Sequence, residues 1–124
     1  MKQSIKIFAI IIVAFFLLAG SSFAQDAVKV DPKHYKVEFE NDQVRVLHVT
    51  YGPGEKSVMH EHPNSVAVFL NNGQNKFTFP DGKSQDAKFT AGMTMWTPGG
   101  KHLPENTGKK AFEVIVVELK SPKK

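Results

Sequence analysis

Two histidines stand two residues apart, in the run Gly54-Glu55-Lys56-Ser57-Val58-Met59-His60-Glu61-His62. On an extended strand, side chains at i and i+2 project from the same face. His60 and His62 would then stand side by side, a geometry suited to chelating one cation. A lone pair of this kind fits two exposed histidines at a loop mouth equally well. A third histidine, His102, follows Trp96-Thr97-Pro98-Gly99-Gly100-Lys101. There a loop could fold it back over the same place. Neutral imidazoles suit Fe, Cu, Ni and Zn. The chain contains no cysteine, which excludes a disulfide framework, a thiolate metal site, a cysteine nucleophile and an iron–sulfur cluster. The histidines are therefore the only soft ligands of that kind. No glycine-rich phosphate loop leads into a helix, and no Ser or Lys has a visible base partner.

The elements that must position these histidines read as strands. Val37 to Glu40 alternates, and Val44 to Tyr51 is rich in Val, Leu, Thr and Tyr. Further short runs cover Ser57 to His60, Val66 to Leu70, Asn75 to Phe79, Ala87 to Thr90, Met93 to Thr97 and Phe112 to Leu119. Gly, Pro and Asn punctuate them, with Asn71-Asn72-Gly73 read as a hairpin turn and Pro98-Gly99-Gly100 as the start of a loop. No segment shows a helical period of useful length. Short strands at this spacing predict an all-β sandwich or barrel of one domain.

The ends have a different character. Met1 to Ala24 carries Lys2 and Lys6, an unbroken apolar run from Ile7 to Ala19, and the small-residue site Ser22-Phe23-Ala24. This pattern predicts a cleaved export signal over residues 1–24, with a periplasmic or secreted product and no stable membrane anchor. The apolar run is short for a membrane span, which needs about 20 residues. The whole chain has 124 residues and a net charge of +4. Removing the leader takes away two lysines and no acidic residue, leaving 100 residues at +2. An excess that small and scattered argues against nucleic acid. Residues 25–35 are polar and read as a flexible arm, residues 36–120 as the barrel, and 121–124 as a tail. His34, in the arm, carries no signal.

Together the two histidine segments resemble the paired motifs of the cupin superfamily. Gly54, His60, His62 and Gly73 fall at the spacing of the first motif. Gly92, Pro98, Gly100, His102 and Asn106 follow the second, with one residue instead of two between Gly100 and His102. The resemblance implies a small jelly-roll β-barrel, the double-stranded β-helix, with its motif histidines facing the cavity. It implies one divalent transition metal, Fe, Mn, Ni, Cu or Zn, held by His60, His62 and His102. The motif's glutamate falls on Val66, or on Ala67 in a register one residue longer, and neither can bind metal. Some cupin dioxygenases are similar in using three histidines without the carboxylate. Losing it leaves the site one unit more positive, which favours an anionic or chelating substrate. Three readings stay open: a dioxygenase-like enzyme, a metal or ligand sensor without turnover, and a metal-free small-molecule binder.

Around the histidines, Val66, Val68 and Leu70 are expected to line the cavity, with Phe77 and Phe79 facing it from the next strand. Met93 to Thr97 contributes either Met93, Met95 and Thr97 or Thr94 and Trp96. Trp96 is the best single pocket candidate, and Asn106 is expected at the pocket as well. Glu105, near His102, reads first as a solvent-exposed residue, and as an outer partner or fourth ligand only if its loop folds inward. Cupins often pair through an N-terminal strand, here Val37 to Phe39, which implies a homodimer.

Overall fold

A computed structural model describes residues 25–122. The expected leader over 1–24 lies outside them. Among the described residues no helix is long and apolar enough to cross a membrane. One short helix, α1 (Ala27–Val30), precedes nine strands. These are β1 (Tyr35–Glu40), β2 (Val44–Tyr51), β3 (His60–His62), β4 (Ser65–Phe69), β5 (Gly73–Thr78), β6 (Ser84–Phe89), β7 (Thr94–Thr97), β8 (Gly100–Asn106) and β9 (Phe112–Leu119). They form two antiparallel sheets, ordered β1-β2-β9-β4-β7 and β3-β8-β5-β6. The architecture is a jelly-roll β-barrel, within the all-β class that the strand spacing predicted and as the motif resemblance implied.

Alternation decides which side chains meet inside. In β2, Leu47, Val49 and Tyr51 are buried, and they register against Val116, Val114 and Phe112 of β9. Beyond β9, Ala67 and Phe69 of β4 continue the same inner rows. Phe89 of β6 closes them from the other sheet, stacking on Phe69 with ring centroids 4.0 Å apart. These aromatic and branched residues form the core. Burying each contributes about 1.5–3 kcal/mol relative to exposure.

Three local readings are corrected. Asn71-Asn72-Gly73 is not a hairpin, because β4 and β5 belong to different sheets. It is a corner where the chain crosses between sheets. Asn71 donates to the Ala111 carbonyl and accepts from Glu113 N, and Asn72 accepts from Ala91 N. Gly73 ends this corner against Phe112, where an added Cβ would meet the Phe112 Cβ at 2.9 Å. The hairpin between β5 and β6 lies instead at Pro80-Asp81-Gly82, whose Gly82 takes a positive φ of 84°. Second, Gly100 to Asn106 is a strand and not a loop. Pro104 fits in it because β8 changes partner, pairing with β3 through Gly100 to His102 and with β5 through Leu103 to Asn106.

The third correction is the arm. Residues 25–35 are folded onto the barrel. Asp26 caps α1 by accepting from Val28 N at 3.1 Å, a common N-cap geometry. Its carboxylate also takes two hydrogen bonds from Arg45 of β2, at 2.7 and 2.8 Å. Ala27, Asp31, His34 and Tyr35 are all buried. The segment reads as polar, yet Asp26, Asp31 and Tyr35 are paired within the fold rather than left to solvent.

Candidate metal centre

β3 is only three residues long, but its burial alternates as the spacing requires: His60 and His62 inward, Glu61 outward. β8 lies antiparallel to it, with His102 directly opposite His60. The three rings therefore meet, with centroids 4.8, 4.9 and 5.3 Å apart. One nitrogen of each lies within 4.8 Å of the others. No other group of three His, Asp or Glu among the described residues is placed to hold an ion in this way.

Hydrogen bonds set which nitrogen faces the centre. His60 Nδ1 lies 2.8 Å from the Val58 carbonyl. A carbonyl only accepts, so that nitrogen carries the hydrogen and Nε2 is the free base. His62 Nδ1 lies 2.6 Å from Glu118 Oε2, leaving its Nε2 free as well. His102 Nε2 is buried without any hydrogen-bond partner. A buried polar nitrogen left unpaired is costly, and an ion shared with the other two histidines would satisfy it. The donor set thus fits a transition metal that takes three imidazoles.

Electrostatics points the same way. Burial, reinforced by the neighbouring imidazoles, pushes the pKa of His60 down to about 4 and that of His102 down to about 3. Both are neutral at physiological pH, the form that binds metal. Burial works to raise Glu118, but hydrogen bonds from His62 and Arg45 outweigh it and hold the carboxyl below its usual range. Glu118 is 2 % exposed and accepts from both His62 Nδ1 and Arg45 Nε, each at 2.6 Å. A carboxylate behind a ligand histidine fixes its tautomer and orientation. Arg45 passes the connection on to Asp26, so His62 is tied to the N-terminal helix through one buried and two half-buried charges. His60 is tied to the same segment by another route. Ser57 Oγ lies 3.2 Å from His60 Nδ1 and donates to Asp31 at 2.5 Å, and Asp31 also takes the His34 Nδ1 hydrogen bond at 2.7 Å.

His62 and His102 open on a cavity of about 510 Å³. Its wall is aromatic and apolar, including Tyr35, Ala67, Phe69, Phe77, Phe89 and Met95. Phe77 lines it as expected and stacks on His102, with centroids 5.3 Å apart. Phe79 lines it too.

Other pocket candidates are placed elsewhere. β4 buries Ser65, Ala67 and Phe69, so Val66 and Val68 turn to the outer face. Residues 66–70 are apolar on both faces of the strand, so the composition carries no alternation from which the phase could be read. The position of the missing carboxylate that faces the cavity is therefore Ala67, not Val66. Trp96 pairs with Val66 on the outside and is 53 % exposed, while Met95 and Thr97 take the inner positions. Leu70 is also exposed. Asn106 is fully buried but does not line the cavity. Its amide donates to the carbonyls of Tyr51 and Lys110 and its oxygen accepts from Gly108 N. Replacing Asn106 with Ala should cost about 2–3 kcal/mol in a urea unfolding curve, by stranding these buried groups, with the metal content per folded chain unchanged. Wild-type stability in that variant would refute the structural role. The outer partner of the site is Glu118 rather than Glu105.

Sequence reasoning missed Glu118, Tyr35 and Arg45. Glu118 had a signal: it is the one carboxylate in the apolar strand Phe112 to Leu119 that is in phase with the inward residues Phe112, Val114 and Val116.

Comparison with known proteins agrees with this geometry. Residues 47–118 match the family model described as Cupin domain. Among solved structures, a cupin domain from Bordetella pertussis Tohama I is similar with a TM-score of 0.66 and 26% identity, over 70% of this chain and 92% of that one. An RmlC-like cupin family protein with a double-stranded beta-helix fold from Methanocaldococcus jannaschii is similar at TM-score 0.56 and 22% identity, over 72% and 83%. A cupin superfamily protein from Desulfitobacterium hafniense DCB-2 gives 0.54 and 18%, over 70% and 76%. No curated protein matches the chain. With the matched stretch running from β2 through β9 and holding all three clustered histidines, the chain belongs to the cupin family.

Proposed function

We propose that the protein is an exported cupin that holds one divalent transition metal, Fe, Mn, Ni, Cu or Zn, on His60, His62 and His102. There it binds a small organic molecule, with dioxygenase-like oxidation of an organic acid, diketone or phenolic compound as the enzymatic form of the reading. The observation that carries it is the orphaned, buried Nε2 of His102 facing two imidazoles whose hydrogens are already committed elsewhere. A bound metal would supply a Lewis acid with positions left open beyond three protein ligands. The chain's own groups do the rest. Glu118 and Val58 hold two imidazoles in the binding tautomer, and Phe77 braces the third. The apolar wall excludes water and packs the body of the ligand, which is what small-molecule sites generally provide.

Export rests on the leader pattern of residues 1–24. A second copy of the chain is proposed along β1, the edge of its sheet, where Val37 and Phe39 are 44 % and 53 % exposed.

The test is to recover the exported protein and measure metal by elemental analysis beside the His60→Ala/His62→Ala double variant. We expect a chain starting at Gln25, dimeric in light scattering, with one ion per wild-type chain and none in the variant. Equal, negligible metal in both ends the metal reading. Retention of residues 1–24 in the product ends the cleavage reading, and a monomer at high concentration ends the pairing. Oxygen uptake with diketones and catechols then separates enzyme from sensor, since a sensor consumes none.

A further inference from the structure

Beside the three histidines stands a polar group outside the ligand set, the phenol of Tyr35. It lies on β1, buried to 3 % exposure, and lines the cavity. Its oxygen is 3.1 Å from His60 Nε2 and 2.8 Å from the oxygen of Tyr51. The direction of these hydrogen bonds follows from their neighbours. His60 Nδ1 faces the Val58 carbonyl and carries the ring hydrogen, so Nε2 can only accept. Tyr35 has one hydrogen, and it goes to Nε2. Tyr51 must therefore donate to Tyr35. The result is an ordered chain from Tyr51 through Tyr35 to His60.

That chain ends on the lone pair a metal would use. An ion on His60 Nε2 takes away the acceptor of the Tyr35 hydrogen, while Tyr51 still donates from behind. A buried hydroxyl without an acceptor is costly. Two acceptors are then within reach, the Tyr51 oxygen at 2.8 Å and an atom carried by the ion beside His60, and only the second leaves the Tyr51 hydrogen where it was. The inward position at which the family's motif carries a glutamate is Ala67, which has no side-chain acceptor. A glutamate there would accept and would repel an anion. Tyr35 instead donates, and it is uncharged.

We propose that Tyr35 is the residue that selects and orients the ligand of this site, donating a hydrogen bond to a metal-bound oxyanion such as a carboxylate, enolate or phenolate. The inference rests on the metal reading above and narrows it to ligands that present an anionic oxygen at the ion. A neutral nitrogen donor, which has no acceptor left once bound, would gain nothing from Tyr35.

The experiment uses the exported protein loaded with Co(II), whose visible spectrum reports ligand exchange, and its Tyr35→Phe variant. Benzoate serves as the oxyanion probe and imidazole as the neutral one. We expect both proteins to take up one cobalt per chain. The variant should bind benzoate about tenfold or more weakly, the worth of a hydrogen bond to a charged group. Imidazole affinity should stay within about twofold. Equal weakening of both probes would show that Tyr35 only shapes the cavity, and unchanged benzoate affinity would remove its role outright. Failure of the variant alone to take up cobalt would make Tyr35 a ligand or a structural support and overturn the proposal. A wild-type protein that takes up no cobalt would instead defeat the metal reading itself, and this inference with it.

Discussion

Replacing Glu118 with Gln should weaken metal binding by about 10- to 100-fold while leaving the barrel folded. The range is that of lost carboxylate partners behind ligand histidines. The reason lies in the hydrogens. Glu118 is an acceptor at both oxygens, and both its partners, Arg45 Nε and His62 Nδ1, are donors. A glutamine keeps one accepting oxygen and turns the other into an NH₂. The oxygen goes to the guanidinium, the stronger donor. The NH₂ then faces His62 Nδ1, which must give up its hydrogen to accept. The hydrogen moves to Nε2, the nitrogen needed by the ion. Glu118→Gln thus puts His62 in the non-binding tautomer without removing any atom of the ring. Chelator competition measures the affinity, and nitrogen-15 shifts of the imidazole report the tautomer. An affinity equal to wild type, or a variant ring still protonated at Nδ1, would sink the argument. Glu118→Ala is the harsher change. It leaves buried donors unpaired, and we expect a loss of about 3 kcal/mol in stability as well, near the low end for breaking a buried ion pair because Arg45 keeps Asp26.

How much of this could be read from the chain follows from what each residue's neighbours are. His60, His62 and His102 were legible because period-two spacing and turn residues are local, and the barrel does bring them within reach of one ion. The strand set was legible for the same reason, apart from β8, where Gly99, Gly100 and Pro104 imitate a loop, and β3, which covers His60–His62 rather than the expected Ser57 to His60. What the chain hides is anything decided by a distant partner. Val66 and Val68 look as inward as Ala67 until β7 and β9 fix the phase. Asn106 sits at a motif position, yet its work is to hold the backbone of Tyr51, 55 residues away. The greatest loss was in residues 25–35. Asp26, Asp31, His34 and Tyr35 form an unremarkable polar string in sequence, and only the pairing of Asp26 with Arg45 and of Asp31 with Ser57 shows that both relays behind the histidines end there.

The metal-free protein should lose stability steadily as pH falls from about 6.5 toward about 4, by a few kcal/mol in all. The sign follows from which state binds more protons. Unfolded histidine has a pKa of about 6.5, whereas burial pushes His60 down to about 4 and His102 down to about 3 in the fold. Between those limits the unfolded chain takes up protons that the native chain refuses. Stability therefore rises with pH across that window and is fully present above about 6.5. A tenfold difference in proton affinity between the two states corresponds to about 1.4 kcal/mol, and the two rings share one cluster, so their contributions do not add in full. Glu118 acts in the same direction lower down. Its folded pKa is depressed, so the stability it contributes is present at neutral pH and is lost as the carboxylate protonates. His48 opposes this weakly on the outer face. Glu38 and Glu113, at 2.6 and 3.1 Å, hold its pKa up, so its contribution is present in acid and is lost as pH rises through that raised value. Being exposed, the pair contributes under about 1 kcal/mol. A bound ion changes the acid limb, because the proton and the metal compete for the same nitrogens. Adding metal should therefore shift the acid midpoint downward, and a chelator should restore it. Urea unfolding at a series of pH values, with and without metal, measures both effects. A metal-free curve flat from pH 7 to pH 4 would mean that His60 and His102 are not buried neutral together, and the argument for their readiness to take a metal would fail.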